Sequence, residues 1–432
     1  MKILVPLPFD VSCLRHGRNL RIVHLLRALA RNHAITCAAA DEAIARAAQH
    51  VLPGVEVMTA PVRPDRYQAS AATLHGPWLL RRAADFFGYE PALHAWIDRL
   101  TDDADIAVGF DLPSALYLSQ LAQTAEHRVP AVCDLIDDPY LTHRSADLLE
   151  RWSVCGIKTA IAVHVLRDRL LSQLDALVAV AEPDAESLFK ATGRPVRVVP
   201  NGVEIPSAAT RHSSTCIDRE PLVVFTGAMS FSPNERAACH LVRSIWPRVR
   251  QLVPRAQLAL VGADPTPRVQ DLARQPGVIV TGRVADIGEW LRRARVAVAP
   301  MLNGSGIKNK VLEACTNACP VVATPRALAG IPAGHGNGIL VADRPSAFAA
   351  HTAVLLADEK TAFDLGQAGQ AMVRKRFSWT RVAETFEAVL RVCVQRMHAR
   401  NGTRYRHAST RVDAAERSEA VLAGKEAVHA ST

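Results

Sequence analysis

A chain of 432 residues, 49% hydrophobic but only 5% aromatic, exceeds what one core usually organises and suits helices packed on parallel sheets, so two domains are expected. The net charge of +9 admits anionic partners, acidic lipid surfaces and nucleic acid among them, without choosing between them. No apolar run reaches the roughly 18 residues that span a bilayer, Met1-Lys2-Ile3-Leu4-Val5 enters a strand-like run instead of a signal peptide, and the nine cysteines lack metal-type or disulfide-framework spacing; a cytoplasmic protein with reduced, mostly buried thiols is expected.

In chain order, Lys2 to Pro6, Ala34 to Ala40, Val55 to Ala60, Ile106 to Phe110, Val129 to Leu135, Ala176 to Val180 and Val196 to Pro200 are apolar runs of strand length. Amphipathic stretches lie between them. In Asn19 to Arg31, Leu20, Val23, Leu26, Leu29 and Ala30 share one helical face. This alternation predicts an α/β doubly wound, Rossmann-like domain over 1–200. Thr73 to Leu100 is longer than a simple crossover and reads as an inserted helical layer. Residues 201–220, rich in Gly, Pro, Ser, Thr and charge, read as a linker. A second alternation follows over 221–400, with strands at Leu222 to Thr226, Gln257 to Val261, Val278 to Thr281, Val296 to Pro300, Pro320 to Ala323 and Ile339 to Val341. Helices at Ser346 to Ala357, Glu359 to Phe377 and Thr380 to His398 close that domain, and the polar stretch 401–432 reads as a mobile tail. Two doubly wound units predict a cleft with ligands at the carboxyl ends of the strands.

The most informative stretch runs from Val296 through Pro300-Met301-Leu302-Asn303-Gly304-Ser305-Gly306-Ile307-Lys308-Asn309-Lys310 to Glu313. A buried strand enters a glycine-rich turn and then a helix, so backbone N–H groups and the positive helix end form an anion site. Only eight of the 51 basic residues are lysines, and two of them, Lys308 and Lys310, open this helix. Lys310 and Glu313 share a helix face. Helical side chains lean toward the N-terminus, so the Glu313 carboxylate can accept hydrogen bonds from a ribose while a diphosphate lies at the helix end. An ordinary βα turn with a surface Lys–Glu pair has the same local pattern.

The stretch resembles the donor-site signature of the family-4 (group 1) glycosyltransferases, continued by Ala314-Cys315-Thr316-Asn317-Ala318-Cys319-Pro320. The likeness extends back through Phe225-Thr226-Gly227-Ala228-Met229 with Pro233-Asn234, then Leu260-Val261-Gly262 and Val280-Thr281-Gly282-Arg283-Val284. It implies the GT-B architecture, two Rossmann-like domains facing across a cleft. It also implies donor ribose on Glu313 and the base near Arg283 and Val284, with Gly227, Gly304, Ser305, Gly306, Lys308 and Lys310 lining the donor site. The sequence departs from the family at three positions. Ser305 stands where relatives often carry a second glutamate, and Ala228 and Asn234 stand where many carry a basic pair. Lys308, Lys310 and Arg283 are the candidates to replace that charge, because a diphosphate leaving group needs fixed donors or cations.

In the first domain, the loop from Pro8 to Asn19 has the placement of the GT-B loop that faces the donor phosphates. Gly17 would allow close backbone approach, with Arg18 or Arg21 assisting; a plain strand-to-helix connection fits as well, and His16 reads as an exposed polar residue. Asp137, after the strand ending at Leu135, is the candidate for positioning an acceptor hydroxyl, or equally a capping aspartate. The resemblance implies a hexosyl-type transfer from a nucleotide diphosphate sugar to a hydroxyl acceptor, retaining, without a required cofactor or metal ion, in cell-surface polysaccharide or glycolipid synthesis. A nucleotide-sugar 2-epimerase and a non-catalytic nucleic-acid-binding or regulatory protein are the alternatives; no nucleic-acid module is recognisable. Trp78, Leu79, Leu80, Phe86 and Phe87 interleaved with Arg81 and Arg82 suit either packing of the inserted layer or peripheral contact with an anionic membrane carrying a lipid-linked saccharide.

Overall fold

The computed structural model describes residues 1–14, 17–60, 89–121, 129–136, 138, 140–141, 160, 163, 167–205, 219–303 and 307–399. All thirteen expected strands are present, and Ile106–Phe110, Gln257–Val261 and Ile339–Val341 begin and end where the apolar runs do. The first sheet comprises β1 (Lys2–Leu7), β2 (Ala34–Ala39), β3 (Glu56–Thr59), β4 (Ile106–Phe110), β5 (Ala131–Asp134), β6 (Ala176–Ala179) and β7 (Val196–Val198). Its order is β3-β2-β1-β4-β5-β6-β7. The second comprises β8 (Glu220–Thr226), β9 (Gln257–Val261), β10 (Val278–Gly282), β11 (Ala294–Ala299), β12 (Val321–Ala323) and β13 (Ile339–Val341), in the order β10-β9-β8-β11-β12-β13.

Among the described strands every strand-to-strand pairing is parallel, with Ile3 opposite Ile35 and Val224 opposite Ala259, for example. Parallel sheets are covered on both faces, which is why their strands are almost continuously apolar. Ile3, Leu4, Val5 and Leu7, successive members of β1, are all buried, divided between the cores on the two faces of the first sheet. A third core, around Val224, Phe225, Leu260 and Val298, fills the second unit. Each fully buried side chain of this size contributes about 1.5–3 kcal/mol. Strand order reverses between β1 and β4 and between β8 and β11, so each unit opens a crevice at the carboxyl ends of those strands.

The helix Gly17–Leu29 differs from the expected Asn19 to Arg31. It buries Asn19, Arg21, Ile22, Val23, Leu25, Leu26 and Leu29, whereas Leu20 and Ala30 are only half-buried. Its buried face is wider than one stripe because a second helix lies against it. That helix, over 379–399, was expected to close the second domain. Instead it contributes Val382, Ala383, Phe386, Leu390 and Cys393 to the core of the first. Phe386 stacks on Phe110 of β4 at 6.1 Å, and Trp379 stacks on His24 at 4.5 Å.

The chain therefore crosses between units twice. The outward crossing passes through Asn201–Ile205, where Val203 forms a parallel bridge to Ser378 on the return crossing; the Val203 amide donates to the Phe377 carbonyl at 2.8 Å. Of the expected linker, 206–218 lie outside the described residues, as do 73–88 of the inserted layer and the tail 401–432. What is described of that layer is the helix Pro91–Leu100. Six of the described cysteines are buried thiols outside any disulfide, and Cys13 is exposed.

Candidate active site

The stretches after β1 of the first unit and after β8 and β11 of the second carry expected residues. Gly17 begins the helix Gly17–Leu29 and Asn309 begins the helix Asn309–Thr316. A Cβ placed on Gly17 would lie 3.4 Å from Asn309 Nδ2, so the first turns of two helices, one from each unit, meet across the cleft. Lys308, the cap residue of the second helix, makes no side-chain capping bond; an ammonium only donates, so it cannot occupy the first-turn N–H groups. Two helix N-termini converging in one place favour an anion.

Behind that point the β8–β11 crevice holds Lys310. Its ammonium lies 4.1 Å above the Phe225 ring and donates to Asn234 Oδ1 at 2.7 Å. The Asn234 amide is oriented in turn by donating to the Ala228 carbonyl at 2.9 Å. A Cβ on Gly227 would meet Asn234 Nδ2 at 2.7 Å and Lys310 Nζ at 3.0 Å, so only glycine leaves room for the ammonium there. Gly227 also has φ +150°. Burial lowers the Lys310 pKa to about 7; Glu313 opposes the shift and Lys308 adds to it. Burial likewise raises the Glu313 carboxyl above its ordinary range, with Lys310 pulling it back. The two groups are thus a partly desolvated pair whose charges are incompletely compensated, a state that an additional anion at the helix end would relieve.

The positions of the missing basic pair, Ala228 and Asn234, flank the Gly227 turn, and the ammonium arrives there from the facing helix. Arg283, the third candidate for replacing the charge, is exposed and held by Asp264 at 3.2 Å, at the carboxyl edge of β9 and β10; Val284 packs partly buried against the core of the second unit. The expectation that Arg21 assists at the phosphate loop is corrected. Arg21 is fully buried, paired with Asp134 at 2.8 Å, and donates to the carbonyls of Val199 and Pro200. Arg18 remains at the cleft, 4.2 Å over the Phe9 ring and 3.5 Å from Asp111.

Gly304, Ser305, Gly306, His16 and Asp137 lie outside the described residues. The neighbour of the last, Asp138, is buried, paired with Arg167 at 3.2 Å, and donates its amide to Asp184 Oδ1 at 3.0 Å. Asp184 is buried and its carboxyl is raised by that burial, with Lys308 of the second unit near enough to pull it down. Asp111 was not anticipated. It follows β4 directly at the strand-order reversal, with φ +67°, and burial raises its carboxyl. Looking for polar residues after every strand, β4 included, would have found it. Among the described residues no group of three or more His, Cys, Asp or Glu is placed to hold a metal ion, and no helix is long and apolar enough to cross a membrane.

Residues 220–358 match the family model described as glycosyl transferases group 1. That span contains the whole β8-to-Glu313 site. Among solved structures, sucrose-phosphate synthase from Thermosynechococcus elongatus is 17% identical, with 92% of this chain and 100% of that chain aligned at a TM-score of 0.64. Anabaena HepE in complex with UDP-glucose is 16% identical over 91% of this chain and 100% of that one, with a TM-score of 0.59. A glycosyltransferase from Rickettsia africae is 12% identical over 91% and 98%, with a TM-score of 0.62. No curated protein matches the chain in sequence. These likenesses show the fold, paired Rossmann-like domains of the GT-B type, and relate the second unit to the group 1 glycosyltransferases.

Proposed function

We propose that this GT-B chain is a glycosyltransferase that moves a hexosyl-type sugar from a nucleotide diphosphate sugar to a hydroxyl acceptor. The observation that carries the reading is the Lys310 ammonium, held beside Gly227 and Asn234 with its charge poorly compensated. It sits behind two converging helix N-termini, in the span that matches a glycosyltransferase family. In this reading the first-turn amides at Gly17 and Asn309 and the Lys308 and Lys310 cations balance the charge that develops on the departing diphosphate. Glu313 holds the donor ribose. Gly304, Ser305 and Gly306 let backbone approach the phosphates, Arg283 and Val284 flank the base, and Asp137 orients the acceptor. Closure of the two units excludes water that would otherwise hydrolyse the donor.

A retaining outcome without a required metal ion follows from the family resemblance, and the anomeric configuration of the product checks it. The HepE complex holds UDP-glucose, so UDP-sugars head the panel of UDP-, GDP- and TDP-sugars to be screened by thermal unfolding. A true donor at a hundred times its dissociation constant stabilises the protein by about 2.7 kcal/mol. If no nucleotide sugar stabilises it, the reading fails. Epimerisation of the donor with no acceptor present would replace transfer by isomerisation.

The acceptor in this reading belongs to cell-surface polysaccharide or glycolipid synthesis, met by peripheral association with the inner face of the membrane through the Trp78 to Phe87 segment. Wild type should sediment with acidic vesicles and Arg81→Glu/Arg82→Glu should not. Equal behaviour of the two proteins returns the acceptor to solution.

A further inference from the structure

Asn201 lies where the chain leaves the first unit and is 8% exposed. Its side-chain amide is engaged at both ends, once toward each unit. On one side Oδ1 accepts from Arg21 Nη1 at 3.2 Å; on the other Nδ2 donates to Asn309 Oδ1 at 3.3 Å. Arg21 cannot yield, because its fully buried guanidinium also binds Asp134 at 2.8 Å, the Pro200 carbonyl at 2.8 Å and the Val199 carbonyl at 2.9 Å. A guanidinium only donates, so it fixes the Asn201 amide with its oxygen inward and its NH2 toward the second unit. That NH2 in turn fixes the Asn309 oxygen, leaving Asn309 Nδ2 beside Gly17. Asp134 at the end of β5, Arg21 in the first helix, Asn201 at the crossing and Asn309 at the start of the facing helix thus form one unbroken polar line.

We propose that Asn201 is a positioning residue: through Asn309 it sets the register of the second unit's helix N-terminus against the Gly17 loop, and so the geometry in which a nucleoside diphosphate is held between them. This deepens the glycosyltransferase reading and rests on it. A ligand that spans both helix ends, the diphosphate, depends on this register; a nucleoside contacting only the second unit does not. Asn309→Ala removes the acceptor for Asn201 Nδ2 and adds no charge, so it cuts the line at one bond; Asn201→Asp cuts the same bond from the other side and keeps the acceptor for Arg21, but sets a second carboxylate beside Asp134.

The test is calorimetric titration of wild type, Asn201→Asp, Asn309→Ala and the double variant with UDP, GDP and TDP and with the matching nucleosides, alongside thermal unfolding. Each single variant should weaken the preferred diphosphate about 3- to 10-fold while nucleoside affinity holds; the unfolding midpoint should hold for Asn309→Ala and fall for Asn201→Asp, whose added carboxylate is buried. The double variant should be no weaker than the weaker single, because both remove the same bond. Additive losses, or equal losses for nucleoside and diphosphate, overturn the positioning role while the donor reading stands. A wild type that binds none of the nucleotides overturns the donor reading, and this role with it.

Discussion

Burial holds Lys310 at a pKa of about 7, so above neutrality the free protein keeps this amine mostly uncharged. A bound diphosphate supplies the missing counter-charge and raises that pKa. Binding at pH 8 therefore takes up close to one proton. Affinity is full below about pH 7 and weakens about tenfold per pH unit as pH rises from there toward the ordinary lysine range. Calorimetry at pH 8 in buffers of different ionisation enthalpy reads the uptake, and Lys310→Met should abolish it. Uptake that survives that substitution belongs to another group. Lys310→Ala should weaken a nucleotide diphosphate much more than its nucleoside. Glu313→Ala should leave the fold intact and weaken the donor at least about tenfold, the loss of charge-assisted bonds to ribose; an unchanged dissociation constant would remove the ribose role. The shared face of Lys310 and Glu313 was readable from their spacing. The destination of the ammonium was not, because Asn234 and Gly227 lie some eighty residues away and meet it only through the β8–β11 crevice.

At the scale of elements, strand and loop placement followed from apolar runs closed by Gly or polar residues, which is why β4, β9 and β13 have the expected bounds. The Gly17–Leu29 helix was harder. Its sequence carries three arginines, and nothing local shows that Arg21 points inward, since Asp134, Val199 and Pro200 that receive it are over a hundred residues distant. The donor-side loops have their own constraint. A Cβ on Gly262 would lie 1.9 Å from the Gly227 carbonyl oxygen, and Gly262 has φ +154°, so the exits of β8 and β9 touch backbone to backbone. Gly262→Ala must push Gly227 away from Lys310. It should cost about 1–3 kcal/mol, a fall of roughly 2–4 °C per kcal/mol for a unit of this size, together with loss of nucleotide affinity. Gly336→Ala, with nothing within 4 Å of its Cβ, is the control expected to change neither. Melting curves that superimpose for the two variants would refute the close-approach argument.

Over the whole molecule, two units were evident from the break in alternation near residue 201, whereas the return of the last helix was not. An amphipathic stripe reveals that a helix covers something apolar but not which of two cores it covers. Phe386, Leu390 and Val382 sit in the first core, so a chain ending after Phe377 should retain the second unit and lose the first. Limited proteolysis should then yield a resistant fragment beginning near residue 219, and protection of residues 1–200 in that truncation would contradict this assignment.

The same connectivity sets a schedule for birth on the ribosome. The strands of the first sheet are complete at Val198, but the helix that roofs Phe110 and His24 begins only at Trp379. At ~5–20 residues per second, the interval is roughly 10–40 s. During that time the nascent first half waits with an uncovered apolar face while the second unit, contiguous in the chain, is made and can fold. The last half to become native is therefore the first half to be synthesised.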